Sequence, residues 1–224
     1  MNRFALLLIA CALCAIPAAA LVAADKPAAD KPAPDKDGFF SLFDGKSLDG
    51  WKVNENPETF KVEDGNIVVN GKVSHAFYEG PVNNHEFKDF HLKAEVKTFE
   101  NSNSGIYFDT KFQAKGFPQV GFEAQVNATH KDPKKTGGLY NVKDVMNNSP
   151  AKDHEWFTYE IIQKGDNIKI LINGKVTTDW TQPADWKGAV NQVERRIQPG
   201  TFALQGHDPG SKVLYRNIMV KPLD

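Results

Sequence analysis

From Gly38 onward, apolar and polar residues alternate with a period of two in short runs such as His91-Leu92-Lys93-Ala94-Glu95-Val96-Lys97 and Ile168-Lys169-Ile170-Leu171-Ile172. That period sends successive side chains to opposite faces of an extended strand, one face for a core and one for water. Turn signals punctuate the runs. Glu63-Asp64-Gly65-Asn66 leads into Ile67-Val68-Val69, Lys164-Gly165-Asp166-Asn167 joins Tyr159-Glu160-Ile161-Ile162 to Ile168-Lys169-Ile170, and Asn173-Gly174 precedes Lys175-Val176-Thr177. Each predicts a hairpin, because glycine and asparagine supply the positive backbone angles of a two-residue turn. No long segment carries a helical period, and the best candidate, near Trp186 to Arg196, reads as a short surface turn. The chain is therefore expected to be all-β, a jelly-roll β-sandwich of two antiparallel sheets.

One run carries chemistry on a face of its own. In Gly121-Phe122-Glu123-Ala124-Gln125-Val126, strand geometry turns Phe122, Ala124 and Val126 one way and Glu123 and Gln125 the other. A carboxylate beside a carboxamide pairs a group that takes a proton with one that orients a hydroxyl or carbonyl oxygen. Sugars call for both.

Upstream of the alternating region the pattern changes twice. Arg3 is followed by the apolar run Phe4 to Val22, which ends in small residues with Val22 and Ala24 placed for cleavage before Asp25. Residues 1–24 read as a secretory signal peptide, which implies an exported, periplasmic or extracellular protein with no membrane span after processing. A retained anchor is the competing reading; the early Pro17 and the small-residue end favour removal. Leu8-Ile9-Ala10-Cys11 also resembles a lipoprotein processing site, so a lipid anchor through Cys11 is the minor alternative. Residues 25–37 repeat Asp-Lys-Pro-Ala and hold too little apolar surface to fold, so they read as a tether. Residues 38–224 are long enough for one well-buried domain and show no linker-like break.

Composition narrows the function classes. Both cysteines, Cys11 and Cys14, lie in the signal segment, so a processed chain has no thiol for a disulfide or a metal. Removing Arg3 from the 27 basic residues leaves 26 against 28 acidic ones, with no basic block among aromatics, so nucleic acid is excluded as a partner. No phosphate-cradling glycine loop and no Gly-x-Ser-x-Gly elbow is present. His75, His85, His91, His130 and His154 show no close metal-ligand spacing, and His85-Glu86 lacks the second histidine of a zinc-protease helix. No cofactor is evident. A hard divalent cation held by oxygen ligands from distant loops leaves no sequence signature, and that option stays open.

Five blocks occur in order: Gly38 to Trp51 (with Phe43-Asp44-Gly45-Lys46-Ser47-Leu48-Asp49-Gly50-Trp51), Asn103-Ser104-Gly105-Ile106-Tyr107-Phe108, Gly121 to Val126, Thr136-Gly137-Gly138-Leu139-Tyr140, and Leu204-Gln205-Gly206-His207 with Tyr215-Arg216-Asn217-Ile218. Together they resemble the 3-keto-disaccharide hydrolase domain family, also described as 3-keto-glucoside lyase and 3-keto-2-hydroxy-glucal hydratase. The resemblance spans Gly38 to Leu223 and implies a concanavalin A-like sandwich. It also implies an enzyme that cleaves 3-keto-glycosides by elimination across carbons 1 and 2 followed by hydration, with a sugar 3-dehydrogenase supplying its substrate upstream. The chemistry is coherent: a ketone at carbon 3 acidifies the carbon 2 proton, so a mild base can remove it and the enolate expels the aglycone. A paired-carboxylate glycosidase needs two carboxyl groups, and only one stands out here.

Within that frame Glu123 is the first candidate for the base, and His207 for a second base, a leaving-group acid or a ligand. Substrate-binding candidates are Asn103, Gln125, Tyr140, Gln205 and Arg216. Each has a plainer reading: an ion-pair carboxylate for Glu123, a decorative histidine for His207, a turn for Asn103, solvent-facing amides for the glutamines, a half-buried aromatic for Tyr140 and a structural salt bridge for Arg216. Two departures bear on the substrate. The family usually carries an arginine where Asp109 stands, and an acidic residue where Asn127 stands, so the pocket is expected to be altered there. The rival function is a non-catalytic, lectin-like carbohydrate-binding sandwich on the same fold.

Overall fold

The computed structural model describes residues 32–189, 192 and 194–223. The signal segment and the first part of the tether lie outside the described residues. Just ahead of Gly38, the Asp35 carboxylate accepts from the backbone N–H groups of Asp37 and Phe39, both at 2.9 Å, and closes a turn.

Strands numbered along the chain build two antiparallel sheets. One, of eight strands, runs β13 (Lys175–Thr181), β12 (Asn167–Ile172), β11 (Phe157–Lys164), β6 (Phe90–Thr98), β15 (Val213–Pro222), β4 (Asn66–Val69) and β3 (Phe60–Glu63). The short β1 (Phe40–Ser41) also pairs with β15. The other, of seven, runs β10 (Lys143–Met146), β9 (Lys134–Leu139), β8 (Phe122–Val126), β7 (Ser104–Thr110), β14 (Thr201–Gly206), β5 (Ser74–Tyr78) and β2 (Trp51–Val53). The expected jelly-roll sandwich is what forms.

Local sequence explains the connections. Asp64 and Gly65 take φ of 49° and 75° between the paired residues Glu63 and Asn66, and Asn173 and Gly174 take 50° and 72° between Ile172 and Lys175. Both are the two-residue hairpins expected of Asp-Gly and Asn-Gly. The segment around Trp186 to Arg196 forms no helix among its described residues. No helix among the described residues is long and apolar enough to cross a membrane.

The core lies between the sheets. Along β6, buried and part-exposed residues alternate strictly, so Phe90, Leu92, Ala94 and Val96 face inward. Phe90 sets its ring edge-on to Phe108 and Phe202 of the opposite sheet, with centroids 6.0 and 4.9 Å apart. Burying each such side chain contributes about 1.5–3 kcal/mol, and Phe90→Ala is expected to cost about 3–5 kcal/mol of stability in denaturant melts. Hydrogen bonds pair several of the polar groups inside: the Tyr215 and Ser104 hydroxyls meet at 2.8 Å, and Tyr159 donates to the Gln125 carbonyl at 3.0 Å.

The two sheets differ on their outward faces. In the eight-stranded sheet the outward residues of β6 are partly exposed, whereas β5, β7, β8 and β14 of the seven-stranded sheet are buried along their whole length. Loops between β7 and β8, β9 and β10, β13 and β14, and β14 and β15 roof that second face, and a cleft opens between them.

Candidate active site

Pairing register assembles the floor of the cleft. Tyr107 on β7 stands opposite Glu123 on β8, and Gly105 opposite Gln125. On the other side, β14 sets Ala203 opposite both Tyr107 and Phe77, and Gln205 opposite His75. Cross-strand partners project to the same face, so the period-two pattern that placed Glu123 with Gln125 extends across four strands. The cleft encloses about 390 Å³, within the usual size for a small-ligand site.

Glu123 is the centre of this floor. Its side chain crosses Gly105, where a Cβ would lie 2.6 Å from Glu123 Oε1, so only glycine leaves room for it. The Tyr107 hydroxyl donates to Oε2 at 2.9 Å and the Gln205 amide to Oε1 at 3.0 Å, while an Arg195 nitrogen stands 3.6 Å from Oε2. Burial raises the Glu123 carboxyl above its ordinary proton affinity, and Arg195, Tyr107 and Gln205 only partly offset that. Burial, with the neighbouring carboxylate, also pushes the Tyr107 hydroxyl well above its usual range, so it remains a donor.

Gln125 packs beside this carboxylate. With its nitrogen turned inward, it donates to Glu123 Oε1 and to the Ser104 carbonyl, each at 3.3 Å, and its oxygen lies 3.2 Å from the Asn103 carboxamide. Asn103 is fixed through its backbone N–H, which donates to Ser211 Oγ at 2.9 Å. His207 stands at the rim. Its Nδ1 lies 2.7 Å from Asp208 Oδ2, which also accepts from Ser211 Oγ at 2.8 Å. Partial burial works to raise Asp208, but hydrogen bonds from His207, Ser211 and the Gly210 backbone outweigh it and keep it an anion. An anion there draws the imidazole hydrogen to Nδ1 and leaves Nε2 for a ligand.

Of the residues expected at a site, Glu123, His207, Asn103, Gln125, Tyr140 and Gln205 all line this one cleft. Arg216 does not. It lies on β15 of the other sheet, where its Nε is 2.6 Å from Glu95 and its guanidinium sits 4.0 Å over the Trp156 ring, so the salt-bridge reading holds for it. Tyr140 is at the cleft, yet its ring is shared with the Lys134 ammonium at 4.1 Å and the Arg195 guanidinium at 5.7 Å. It supports Arg195 as much as it offers a face to a sugar.

The two departures also lie elsewhere. Between Tyr107 and Thr110 the chain takes a β-bulge against β14, with Asp109 at φ 55°. Its carboxylate then accepts from Gln163 of the opposite sheet at 2.9 Å, inside the sandwich, where burial pushes it well above the carboxylate range. Asn127 is fully buried and spends its amide on the Asp132 and Lys134 carbonyls, closing the β8–β9 loop. Neither lines the cleft. The cation that a substrate would meet comes instead from Arg195, in a loop whose sequence gave no sign of it. Tyr107 was also missed, although it sits on the same face as Asn103 and Gly105 at strand spacing. Among the described residues no three His, Cys, Asp or Glu side chains gather as a metal site.

The sandwich is similar to that of a Parabacteroides distasonis ATCC 8503 protein provisionally classed as a glycosyl hydrolase, with 23% identity, TM-score 0.71, and coverage of 84% of this chain and 95% of the other. It is also similar to the laminarinase of Flavobacterium sp. UMI-01, with 15% identity, TM-score 0.55, and coverage of 81% and 97%. The carbohydrate-binding module CBM66 of Bacillus subtilis shares it too, with 13% identity, TM-score 0.52, and coverage of 77% and 95%. A search of curated protein sequences finds no match. Residues 38–221 match the model of the 3-keto-alpha-glucoside-1,2-lyase-like domain, and with a cleft built on the blocks that characterise it, the chain belongs to that carbohydrate-active family.

Proposed function

We propose that this chain is an exported enzyme that cleaves 3-keto-glycosides by elimination followed by hydration. The observation that carries the reading is that, among the described residues, a single carboxylate lines the cleft, and it is buried against a guanidinium. A paired-carboxylate glycosidase has no second acid there, whereas abstraction of an acidified carbon proton needs one base. Glu123, its proton affinity raised by burial, takes the proton from carbon 2. The charge that develops on the carbon 3 oxygen is met by Arg195, Tyr107 and Asn103 as donors. His207 gives a proton to the departing aglycone oxygen, and Asp208 steadies the imidazolium that precedes it. Water added to the unsaturated sugar completes a net hydrolysis. Because the substrate is already oxidised at carbon 3, an upstream sugar 3-dehydrogenase is the implied pathway partner, and the apolar N-terminal run supports export.

The test is incubation with a 3-keto-glucoside and with the matching unoxidised glucoside, with and without a divalent cation, following aglycone release and carbon 2 proton exchange. Release from the keto sugar alone, lost in Glu123→Gln, is the expected result. Binding of either sugar without release would instead establish the lectin-like reading.

A further inference from the structure

Beside the catalytic floor lies a cluster that the reaction leaves unused. His75 on β5 is fully buried, and neither ring nitrogen has a hydrogen-bond partner among the described residues. Its cross-strand partner Gln205 donates through Nε2 to Glu123 and to the Tyr107 hydroxyl, but its Oε1 is also unpartnered. A neutral imidazole has one N–H and one lone pair, so an N–H donor and two acceptors stand together without partners. Buried polar atoms are normally paired, so a cluster of exceptions calls for partners, and beside a cleft a ligand hydroxyl can supply them.

Gln205 already lines the cleft, and two rings that also line it, Phe117 and Tyr107, pack against His75. Phe117, from the β7–β8 loop, sets its ring edge-on to His75 at 5.6 Å and lies 5.8 Å from the His207 ring. It lines the cleft yet is 39% exposed, so it covers His75 without being locked into the core. Tyr107 touches both sides, its ring 5.5 Å from His75 and its hydroxyl donating to Glu123. With carbon 2 at Glu123, a pyranose ring laid toward this side of the cleft brings its far edge, which carries the hydroxyl groups of carbons 4 and 6, to His75.

We propose that Phe117 is a movable cap over a hydroxyl-binding subsite floored by His75 and the Gln205 carboxamide oxygen, which engages the edge of the sugar remote from the reacting carbons. The inference rests on the carbohydrate reading of the cleft, not on the cleavage step. His75 acts here as a neutral donor and acceptor: burial, with the neighbouring His207, lowers it to about 3, so it carries no charge at working pH. Contacts to a non-reacting edge orient the ring so that carbon 2 meets the base.

The test uses protein labelled with 15N-histidine, assigned through His75→Phe, and titrated with methyl glucoside and its 4-deoxy and 6-deoxy analogues. The His75 ring nitrogens are expected to shift on binding, and at least one deoxy analogue to bind about tenfold more weakly, as loss of one buried hydrogen bond implies. That preference should vanish in His75→Phe. In Phe117→Ala, where the fold is not at risk, His75 should titrate at a higher pH than about 3 as water reaches it. Sugar binding that leaves the His75 nitrogens unmoved, with the same analogue preference in both proteins, overturns the subsite while sparing the carbohydrate reading. Failure of every sugar to bind overturns both. If His75 responds but no keto sugar is cleaved, the subsite stands and the cleavage reading falls.

Discussion

Two glutamate–arginine pairs sit on the outward faces of the two sheets, and they differ in almost everything but residue type. Glu95 and Arg216 meet on the eight-stranded sheet at 2.6 Å with both side chains about one-third exposed, whereas Glu123 and Arg195 stand 3.6 Å apart on the seven-stranded sheet and are nearly inaccessible. At Glu95, burial works to raise the carboxyl, but hydrogen bonds from Arg216 and Asn217 outweigh it and leave the carboxyl lowered. At Glu123 burial wins and the carboxyl is raised despite the Arg195 cation and the hydrogen bonds from Tyr107 and Gln205. The sign of the balance, rather than the presence of an ion pair, separates a surface tie from a group poised to take a proton.

The largest expected effect breaks that comparison at its centre. Glu123→Gln keeps the shape and the Tyr107 and Gln205 neighbours but removes the base, so turnover of a 3-keto-glucoside should fall by about 10²–10⁴-fold with substrate binding nearly intact. Glu95→Gln should leave turnover alone. Equal losses in the two variants, measured as kcat/KM, would show that burial has not distinguished the pairs.

Next comes Arg195→Met, which removes the cation and keeps the stem. Losing one charge-stabilising donor costs on the order of 10²–10³-fold in kcat. Because Arg195 holds the Glu123 proton affinity down, its loss raises that affinity further, and since the base must be deprotonated the acid limb of the pH–rate profile moves to higher pH. Stability follows with its own sign. A carboxyl raised on folding binds more protons folded than unfolded, so stability falls as pH rises from the unfolded value near 4.5 through the folded one. The fall should steepen in Arg195→Met and disappear in Glu123→Gln, as read from melting temperatures across pH 4–8. A pH–rate profile that does not move would remove Arg195 from the site.

How far these sites were legible depends on what kind of element carries them. The hairpins at Asp64-Gly65 and Asn173-Gly174 and the alternation along β6 are local signals, and each formed as expected. Glu123 with Gln125 came from strand periodicity, and Gln205 with His207 from the family resemblance; the strand residues met because register is fixed wherever one face is buried. Arg216 belongs to the same block as Gln205 but crosses to the other sheet, a change that spacing along the chain does not encode. Arg195 was invisible for the opposite reason: it rides an irregular loop, and only the closed sandwich brings that loop over β8. Asp109 stood out as a changed pocket residue, yet one extra residue in a bulge turned it into the core.

Gly105→Ala probes how tightly the buried pair is built. A Cβ there would meet Glu123 Oε1 at 2.6 Å and Cγ at 2.8 Å, so the carboxylate must shift off its seat while every functional group remains. A displacement of about 1 Å is expected to cost roughly 10²-fold in turnover. Lost turnover with a melting temperature close to that of the wild type would attribute the loss to position rather than to unfolding.

The smallest effect belongs to the exposed pair. Arg216→Gln removes a surface ion pair and a cation stacked on Trp156, which together are worth up to about 1–2 kcal/mol and less in high salt. The sign of its pH dependence is opposite to that at Glu123. A carboxyl lowered on folding contributes stability that is present above its unfolded value near 4.5 and lost as pH falls through the folded one. The melting-temperature gap between wild type and Arg216→Gln should therefore be widest near neutrality and close in acid, with kcat/KM unchanged to within about twofold. A large loss of turnover would return Arg216 to the substrate-binding set, and a gap that widens in acid would mean that Glu95 is not the group it serves.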